Sequence, residues 1–270
     1  MGYTIGLAQS TYPHNDDVMA QAHDFASRAA EAGCDLVVFP ENFMWPHKLT
    51  LEELKRLAEP LNGPFVQGMA AVMRETGIWA VFTMNERRDD GGLPYNTAVA
   101  MDGSGTVAGS YRKCHLYDAL GVRESDRLSA GEQLPEPVRT PFCTIGLQVC
   151  YDLRFPEPAR AAALNGCDLL VYPSAWHTGR CKADQWEALL RARAIENELF
   201  VVGVCRSGRG FVGLSMVVDP MGRIVAQGGS ANKPDGIDAL VVCDINGGLV
   251  QSTRENMPIL AHRRPELYPV

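Results

Sequence analysis

One segment occurs twice in the sequence, once in each half, and this repeat limits the possible folds more than any other feature. Residues 33–40 read Gly-Cys-Asp-Leu-Val-Val-Phe-Pro, and residues 166–173 read Gly-Cys-Asp-Leu-Leu-Val-Tyr-Pro. Ahead of each copy, residues 5–7 and 145–147 both read Ile-Gly-Leu. Each of these short apolar runs is typical of a buried strand, and proline closes the longer ones. We therefore expect two halves with the same order of secondary-structure elements.

The pattern of apolar residues and turn signals predicts the order β-α-β-α-β-β in each half, with one further strand and one further helix in the first. In the first half, strands are expected over residues 4–8, 35–39, 79–83, 96–101 and 106–111, and helices over residues 16–32, 51–59 and 64–75. Asn15 is the expected N-cap of the first helix, and Gly33 and Gly77 are expected to end the first and third. In the second half, Pro156 and Pro158 suit the first turn of a helix that reads on to residue 165.

Two sheets of this kind would each carry helices on one side and could bury their bare faces against each other. The expected fold is therefore α/β, a four-layer α-β-β-α sandwich built from pseudo-repeats at about residues 3–111 and 144–244. Residues 112–143 would link the halves, and residues 245–270 would form a C-terminal extension rich in proline and arginine. At 270 residues, the chain is long enough for a single domain over residues 1–270 with a substantial core.

The overall charge argues against several classes of partner. The net charge is -7, the isoelectric point is near 5.4, and there is no basic cluster, so neither nucleic acid nor an anionic membrane is an expected partner. The sequence has no long apolar run and no basic leader at its N-terminus, which predicts neither a membrane span nor a secretory signal. Its eight cysteines lie mostly inside apolar runs, which favours free thiols and a cytoplasmic location.

Cys150 ends a short apolar run at a predicted strand-to-helix junction. The N–H groups at the start of a helix carry partial positive charge, which would lower the pKa of this thiol and make it an activated nucleophile. The alternative is a small apolar core residue, because free cysteine is among the most buried residue types. In the repeat, Cys150 corresponds to Ser10, and Glu41 corresponds to Ser174. The two halves thus differ at positions where a common scaffold requires no difference.

Two further polar residues follow predicted strand ends, where ligands gather in α/β proteins. Glu41 emerges directly from a buried apolar strand, and burial there would raise its pKa and make it a competent general base. Lys113 could supply a fixed positive charge to an oxyanion beside a nucleophilic cysteine. The alternatives are a solvated loop carboxylate for Glu41 and an ordinary surface charge for Lys113.

Three segments, read together, resemble the signature of the nitrilase superfamily of carbon–nitrogen hydrolases. They are Phe-Pro-Glu at residues 39–41, Tyr-Arg-Lys-Cys-His-Leu at residues 111–116 and Val-Cys-Tyr-Asp-Leu-Arg-Phe at residues 149–155. The resemblance extends over nearly the whole chain, to the helix that ends at residue 197. It implies a catalytic triad of Glu41, Lys113 and Cys150, with a second glutamate, Glu124, that positions the lysine and the substrate.

The same resemblance implies an activity, the hydrolysis of a small amide to ammonia and a carboxylic acid through a cysteine thioester. Glu41 would take the proton of Cys150, while Lys113 and the backbone N–H of Tyr151 would stabilise the oxyanion. N-carbamoyl amide hydrolysis and nitrile hydrolysis would use the same triad, so both stay open. The resemblance implies no metal and no organic cofactor.

Within the superfamily, the segment after the cysteine is similar to the branch that acts on small ω-amides of dicarboxylic acids and on deaminated glutathione. Arg154 would then bind a substrate carboxylate, because a guanidinium presents two parallel N–H donors. The alternative is a structural salt bridge from Arg154 to Asp152 or Glu157.

Trp176 and His177 follow the strand that corresponds to the one before Glu41, so they are expected to line the substrate pocket. Trp176 could equally be a packing residue, since most tryptophans are largely buried. Where the branch commonly has Thr-Thr-Gly, this chain has His-Thr-Gly at residues 177–179, which leaves the preference for an acidic substrate open.

Two other classes of function are alternatives to an amidase. A metal site could draw on five cysteine and histidine residues, but no pair has the short spacing usual for zinc. These residues are Cys114, His115, Cys143, His177 and Cys181. A non-catalytic binding protein could use the same fold, because fold alone does not determine function.

A helix predicted over residues 184–197 has four apolar residues that suggest one buried side, Trp186, Leu189, Leu190 and Ile195. The resemblance to the superfamily implies that the region of Arg191 and Arg193 contacts a partner subunit. The protein would then be a homodimer or a higher homo-oligomer. The alternative is a solvated charged face.

Overall fold

The computed structural model describes residues 2–13, 17–45, 47–229 and 238–267. The first half contains the strands β1 (Gly2–Gln9), β2 (Leu36–Val38), β3 (Trp79–Glu86), β4 (Tyr95–Met101) and β5 (Val107–Arg112), and the helices α1 (Val18–Glu31), α2 (Leu51–Leu57) and α3 (Pro64–Thr76). The connecting segment contains β6 (Asp118–Ala119), β7 (Val122–Arg123) and β8 (Val138–Arg139). The second half contains β9 (Thr144–Leu147), α4 (Pro156–Leu164), β10 (Leu169–Ser174), α5 (Lys182–Asn197), β11 (Phe200–Cys205), β12 (Met216–Val218) and β13 (Ile224–Gln227). The strand β14 (Ala239–Asn246) and the helix α6 (Gly248–Asn256) follow.

These strands form two six-stranded sheets and one short hairpin. The strand order is β14-β1-β2-β3-β4-β5 in the first sheet and β13-β12-β11-β10-β9-β8 in the second. The centre of each sheet is parallel, with β1, β2 and β3 in one and β9, β10 and β11 in the other. The strand β14 follows the second half in the sequence, yet it pairs antiparallel with β1 in the first sheet. The repeat in the sequence does not predict this exchange of an edge strand.

The two sheets face each other and carry helices on their outer sides. Along β1, Ile5 and Leu7 belong to a core that also contains residues of the second sheet, while Ala8 packs with the helices on the outer side. Along β2, Leu36 and Val37 divide between the two cores in the same way. Successive residues of a strand point to opposite faces, so each strand contributes to both cores. The predicted α-β-β-α fold is confirmed.

The start of α1 lies elsewhere than the sequence predicted. The expected N-cap, Asn15, lies outside the described residues, and the N-cap is Asp17, whose carboxylate accepts a hydrogen bond from the Ala20 N–H at 2.9 Å. A carboxylate at this position satisfies a backbone N–H that has no partner within the helix.

Among the helices of the described ranges, none combines the length and apolar character needed to cross a membrane.

The helix α5 buries one side, but not along the line that the sequence suggested. Trp186 and Leu190 are buried, whereas Ile195 is 46% exposed, so the prediction for Ile195 is wrong. The buried side of α5 includes Arg193 instead, whose guanidinium donates to the carbonyl oxygen of Leu153 at 2.9 Å. A guanidinium can be buried here because backbone and carboxylate oxygens accept its N–H groups.

Candidate active site

A cavity of about 200 Å³ opens at one edge of the two sheets. Glu41, Lys113, Glu124 and Cys150 all line it, although they lie far apart in the sequence. Glu41 follows β2, Lys113 follows β5 and Cys150 follows β9, so each side chain leaves the end of its strand at this edge. The four residues predicted as a catalytic group are therefore brought together.

Lys113 is the centre of the hydrogen-bond network in the cavity, with 2% of its side chain exposed. Its Nζ donates to Glu41 Oε1 at 3.0 Å and to both carboxylate oxygens of Glu124 at 2.9 and 3.0 Å. A buried ammonium requires such partners, because removing its water without replacement costs several kcal/mol. Lys113 therefore belongs to a buried ion cluster and is not a surface charge.

Glu41 is held by two further hydrogen bonds. Its Oε1 accepts from Asn96 Nδ2 at 2.8 Å, and its Oε2 accepts from the backbone N–H of Ala175 at 2.8 Å. Asn96 is buried in β4, directly beside β5, the strand that Lys113 follows. Asn96 was not among the predicted site residues, although a buried amide near a strand end signals a hydrogen-bonding role.

Glu124 reaches the cavity from a tight hairpin. The strands β6 and β7 pair around Leu120 and Gly121, whose φ angles are 53° and 81°. Glycine adopts this left-handed backbone without a steric penalty, which permits the reversal. Glu124 then accepts a hydrogen bond from the Tyr117 N–H at 2.6 Å, so both ends of the hairpin fix its carboxylate beside Lys113.

Cys150 occupies an unusual backbone conformation. Its φ is 44°, in the left-handed region that residues with a Cβ rarely adopt, and it opens a single turn of 3₁₀-helix, Cys150–Arg154. Strained backbone of this kind clusters at functional sites, where the surrounding structure holds it in place. The helix near Cys150 is thus a short 3₁₀ turn, and α4 begins six residues further on, at Pro156.

Asp152 fixes the turn that presents Cys150. Its buried carboxylate accepts from the Val149 N–H at 3.0 Å, from the Tyr111 hydroxyl at 3.1 Å, and from the N–H and Nδ1 of His115 at 3.1 and 2.8 Å. These bonds join the segment after Cys150 to the segment around Lys113. The two are therefore held in register by one carboxylate.

In the cavity, the pKa of Glu41 and the pKa of Cys150 are each shifted in the direction opposite to the one predicted from the sequence. Burial raises the pKa of Glu41, but the charge of Lys113 and hydrogen bonds from Lys113, Cys150 and the Ala175 N–H lower it by more, so it lies below its ordinary value. Burial and the charge of Glu41 raise the pKa of Cys150 well above its ordinary value, although Lys113 opposes them. The predictions of a raised pKa for Glu41 and a thiolate at Cys150 are wrong.

The pKa of Lys113 is also shifted by its surroundings. Burial would lower its pKa, but the charges of Glu124 and Glu41 raise it well above the ordinary value. The resting site therefore holds an ammonium at Lys113, carboxylate at Glu41 and a neutral thiol at Cys150.

Arg206 supports the loop that carries Glu41 and was not among the predicted site residues. This buried guanidinium donates to the carbonyl oxygens of Glu41 at 3.3 Å, Asn42 at 2.8 Å and Thr11 at 3.1 Å. Arg206 directly follows β11, so it carries the same signal as Glu41 and Lys113, a charged residue just past the end of an apolar strand. That signal could have identified it.

Of the predicted substrate-binding residues, Tyr151, Trp176 and His177 line the cavity. Trp176 also packs, since it is 2% exposed and its Nε1 donates to the carbonyl oxygen of Lys182 at 2.9 Å. His177 is more exposed and stacks on Phe211. Both readings of Trp176, as a pocket wall and as a packing residue, therefore hold.

Arg154 contacts Trp176 of the cavity wall but does not itself line the cavity. Its Nη2 donates to Gln185 Oε1 at 2.8 Å, and its guanidinium lies 4.8 Å from the centre of the Trp176 ring. The alternative of a salt bridge to Asp152 or Glu157 is wrong, because the carboxylate of Asp152 is occupied by its other donors and Gln185 takes the guanidinium.

The residues named for a possible metal site do not converge. Within the described ranges, no group of three or more histidine, cysteine, aspartate or glutamate side chains has an arrangement that could hold a metal ion. His115 Nδ1 contacts Asp152, and Cys114 Sγ contacts the carbonyl oxygen of Gln133 at 3.2 Å. All eight cysteines are free.

Comparison with known proteins finds amidases among the relatives of this chain. A deaminated glutathione amidase of Bos taurus is 36% identical over 270 residues, which span 95% of this chain and 80% of that protein. The omega-amidase NIT2 of Danio rerio is 33% identical over 264 residues, which span 94% of this chain and 91% of that protein. A solved structure of a mutant amidase from Nesterenkonia sp. AN1 is 26% identical, with a TM-score of 0.81 over 98% of this chain and 95% of that chain. It is described as showing covalent addition of the acetamide moiety of fluoroacetamide at the active site cysteine.

The family model for carbon-nitrogen hydrolases matches residues 4–255. This match includes both sheets, the hairpin that carries Glu124 and all four residues of the cavity network. The chain belongs to the carbon-nitrogen hydrolase family, in the nitrilase superfamily.

Proposed function

We propose that this protein hydrolyses the C–N bond of a small linear amide and releases ammonia and a carboxylic acid through a thioester on Cys150. The observation that carries the proposal is the buried Lys113 ammonium, held between Glu41 and Glu124 in the cavity that Cys150 lines. Such a cluster provides a nucleophile, a base and a fixed positive charge within one enclosed space. The names of the relatives, which are amidases, support the same class of substrate.

In the first step, Glu41 takes the proton of Cys150 as the sulfur attacks the amide carbon. The raised pKa of the thiol and the lowered pKa of Glu41 mean that this proton does not move in the resting enzyme. It moves as the bond forms, because negative charge then passes from Glu41 to the amide oxygen. Lys113 can stabilise the charge at both places, so the site keeps its total charge through the step.

In the second step, the tetrahedral intermediate collapses. Glu41 returns the proton to the amide nitrogen, the C–N bond breaks, and ammonia leaves a thioester on Cys150. A water molecule, deprotonated by Glu41, then attacks the thioester carbonyl; the C–S bond breaks, Glu41 returns the proton to the sulfur of Cys150, and the acid is released. Lys113 and the backbone N–H of Tyr151 stabilise the oxyanion in both halves of the reaction, and Glu124 keeps Lys113 charged and in place.

The direct test is an ammonia-release screen over short linear amides, N-carbamoyl compounds and nitriles, followed by mass spectrometry of the intact protein during turnover. We expect ammonia from amides and a mass increase that corresponds to the acyl group on Cys150. Release from carbamoyl compounds or nitriles alone would replace the proposed substrate by one of these two. No ammonia from any of the three would contradict the proposed function.

We further propose that the preferred amides carry a carboxylate and that Arg154, which does not line the cavity, favours its binding through its positive charge and not by direct contact. The positive charge of Arg154 lies against the Trp176 wall of the cavity, and the names of the relatives include an omega-amidase. Replacing Arg154 by lysine keeps the charge but removes the planar group that bonds Gln185 and stacks on Trp176. We expect KM to rise more for carboxylated amides than for neutral ones, as measured by steady-state kinetics. Equal changes for both would exclude Arg154 from carboxylate binding.

We also propose a homodimer or higher homo-oligomer and a cytoplasmic location. Exposed apolar side chains on and beside α5, Ile195 and Met221, support a surface that another copy could cover. The free state of all eight cysteines supports a reducing compartment.

A further inference from the structure

Besides Lys113, two lysines line the cavity and have no role in the proposed reaction: Lys48 is exposed, whereas Lys182 is buried. Lys182 begins α5 and is 6% exposed. Its Nζ lies 4.7 Å from the centre of the Trp176 ring and 5.2 Å from the centre of the Tyr117 ring. Both rings belong to residues of the cavity wall, so the ammonium lies at the cavity and not in bulk solvent.

Lys182 differs from Lys113 in its partners. Lys113 contacts two carboxylates, whereas no carboxylate in the described part of the chain forms an ion pair with Lys182. Aromatic faces attract a cation, but each such contact compensates only part of the hydration that a buried ammonium loses. The contacts of the Lys182 ammonium therefore do not fully replace its hydration, and an anionic partner would stabilise it.

The surroundings of Lys182 increase this need. The guanidinium of Arg154 contacts the same Trp176 ring, so two cations share one aromatic side chain. Burial lowers the pKa of Lys182, and the charge of Arg154 lowers it further. The two carboxylates that line the cavity, Glu41 and Glu124, are both bonded to Lys113. An anion that entered the cavity near Lys182 would relieve the repulsion and satisfy the ammonium.

We propose that Lys182 binds a carboxylate of the substrate, at the end of the molecule opposite to the amide. This inference rests on the proposed function, since it requires the amide carbon to lie at Cys150. The side chains of Lys182 and Cys150 line the same cavity, which places both ends of a short chain within one enclosed space. Lys182 is then a specificity-determining residue that distinguishes a carboxylated amide from a neutral one of the same length.

Two matched pairs of amides test the proposal. Succinamate and butyramide differ only in a terminal carboxylate in place of a methyl group, and so do glutaramate and valeramide. For each pair, the measured quantity is the ratio of kcat/KM for the carboxylated amide to kcat/KM for the neutral one. Wild-type protein should prefer the carboxylated member of at least one pair.

Replacing Lys182 by methionine keeps the length of the side chain and removes its charge. We expect the ratio to fall by about 10- to 100-fold, the range for losing a hydrogen bond to a charged group. Lys182→Arg, which keeps a cation, should retain most of the preference. Lys55→Met is the control, because Lys55 is an exposed lysine of α2 that does not line the cavity, and its ratio should stay near that of the wild type.

The outcomes separate the two proposals. If wild-type protein hydrolyses all four amides but Lys182→Met leaves the ratio unchanged, the role of Lys182 is wrong and the amidase function stands. If wild-type protein shows no preference in either pair, the role of Lys182 is wrong even if the variant does not fold. If wild-type protein releases no ammonia from any of the four amides, the role of Lys182 is wrong, and the wider screen over short amides decides the amidase function.

Discussion

Replacing Cys150 by alanine is expected to reduce ammonia release from amides by about 10⁴-fold or more, the scale seen when a covalent nucleophile is removed. The thiol is the group that would bond the amide carbon, and no other cysteine lines the cavity within the described residues. Alanine fits the site with the loss of one sulfur atom, and Glu41 keeps its bonds to Lys113, Asn96 and Ala175. The fold should therefore remain, which circular dichroism and thermal unfolding would check.

The matched control is Cys34→Ala. Cys34 is also a buried free cysteine, but it packs beneath α1 and does not line the cavity. This variant should keep its activity, so that loss of a buried thiol in general cannot explain the effect at Cys150. Turnover by Cys150→Ala, with an acyl group still detected on the protein, would assign the nucleophile to another residue.

Much of the fold follows from patterns that act over short distances in the sequence. The duplicated segment at residues 33–40 and 166–173 predicts two similar halves because each copy is a buried strand that needs helices on one side. The pairing of β14 with β1 could not be predicted in this way. Which sheet an edge strand joins depends on the path of the chain between distant segments, and nothing in the composition of β14 records it.

The site was predicted where residue type and position both stood out. Glu41, Lys113 and Cys150 are polar or reactive residues at the ends of apolar strands, and their strand ends meet at one edge. Asn96 was not predicted because its contact with Glu41 joins two distant segments, whereas Arg206 carries a signal that the sequence does show, a charged residue just past an apolar strand. Lys182 was missed because a lysine at the start of a helix is usually solvated, and its burial depends on how Trp176 packs.

The errors in the pKa predictions have a physical cause. Local sequence indicates burial and the presence of a helix, but not the distance to a charge elsewhere in the chain. Burial alone would raise the pKa of Glu41, and only the contact with Lys113 at 3.0 Å reverses the direction. For Cys150, burial and the charge of Glu41 outweigh Lys113. The neutral form of the Cys150 thiol is therefore favoured in the resting site.

Replacing Lys113 by methionine is expected to lower kcat by about 100- to 1,000-fold, the range for losing one donor to an oxyanion. The variant also leaves two carboxylates, Glu41 and Glu124, without their shared cation. Removing one partner of a buried ion pair costs about 3 to 5 kcal/mol of stability. Steady-state kinetics on a good amide substrate and thermal unfolding would measure the two effects. A kcat close to that of the wild type would place Lys113 outside the reaction.

The loss of stability in Lys113→Met should depend on pH in a particular direction. In the wild type, the pKa of Glu41 is lowered, so its carboxylate stabilises the fold above the unfolded pKa, and this contribution is lost as the pH falls. Without Lys113, burial raises the pKa of Glu41, and the charged carboxylate then destabilises the fold as the pH rises. The difference in Tm between the two proteins should therefore grow from about pH 5 to about pH 7.5. Lys182→Met is the control, since no carboxylate in the described residues loses an ion pair there, and its Tm difference should stay constant over the same range. A constant difference for Lys113→Met would contradict the buried ion cluster.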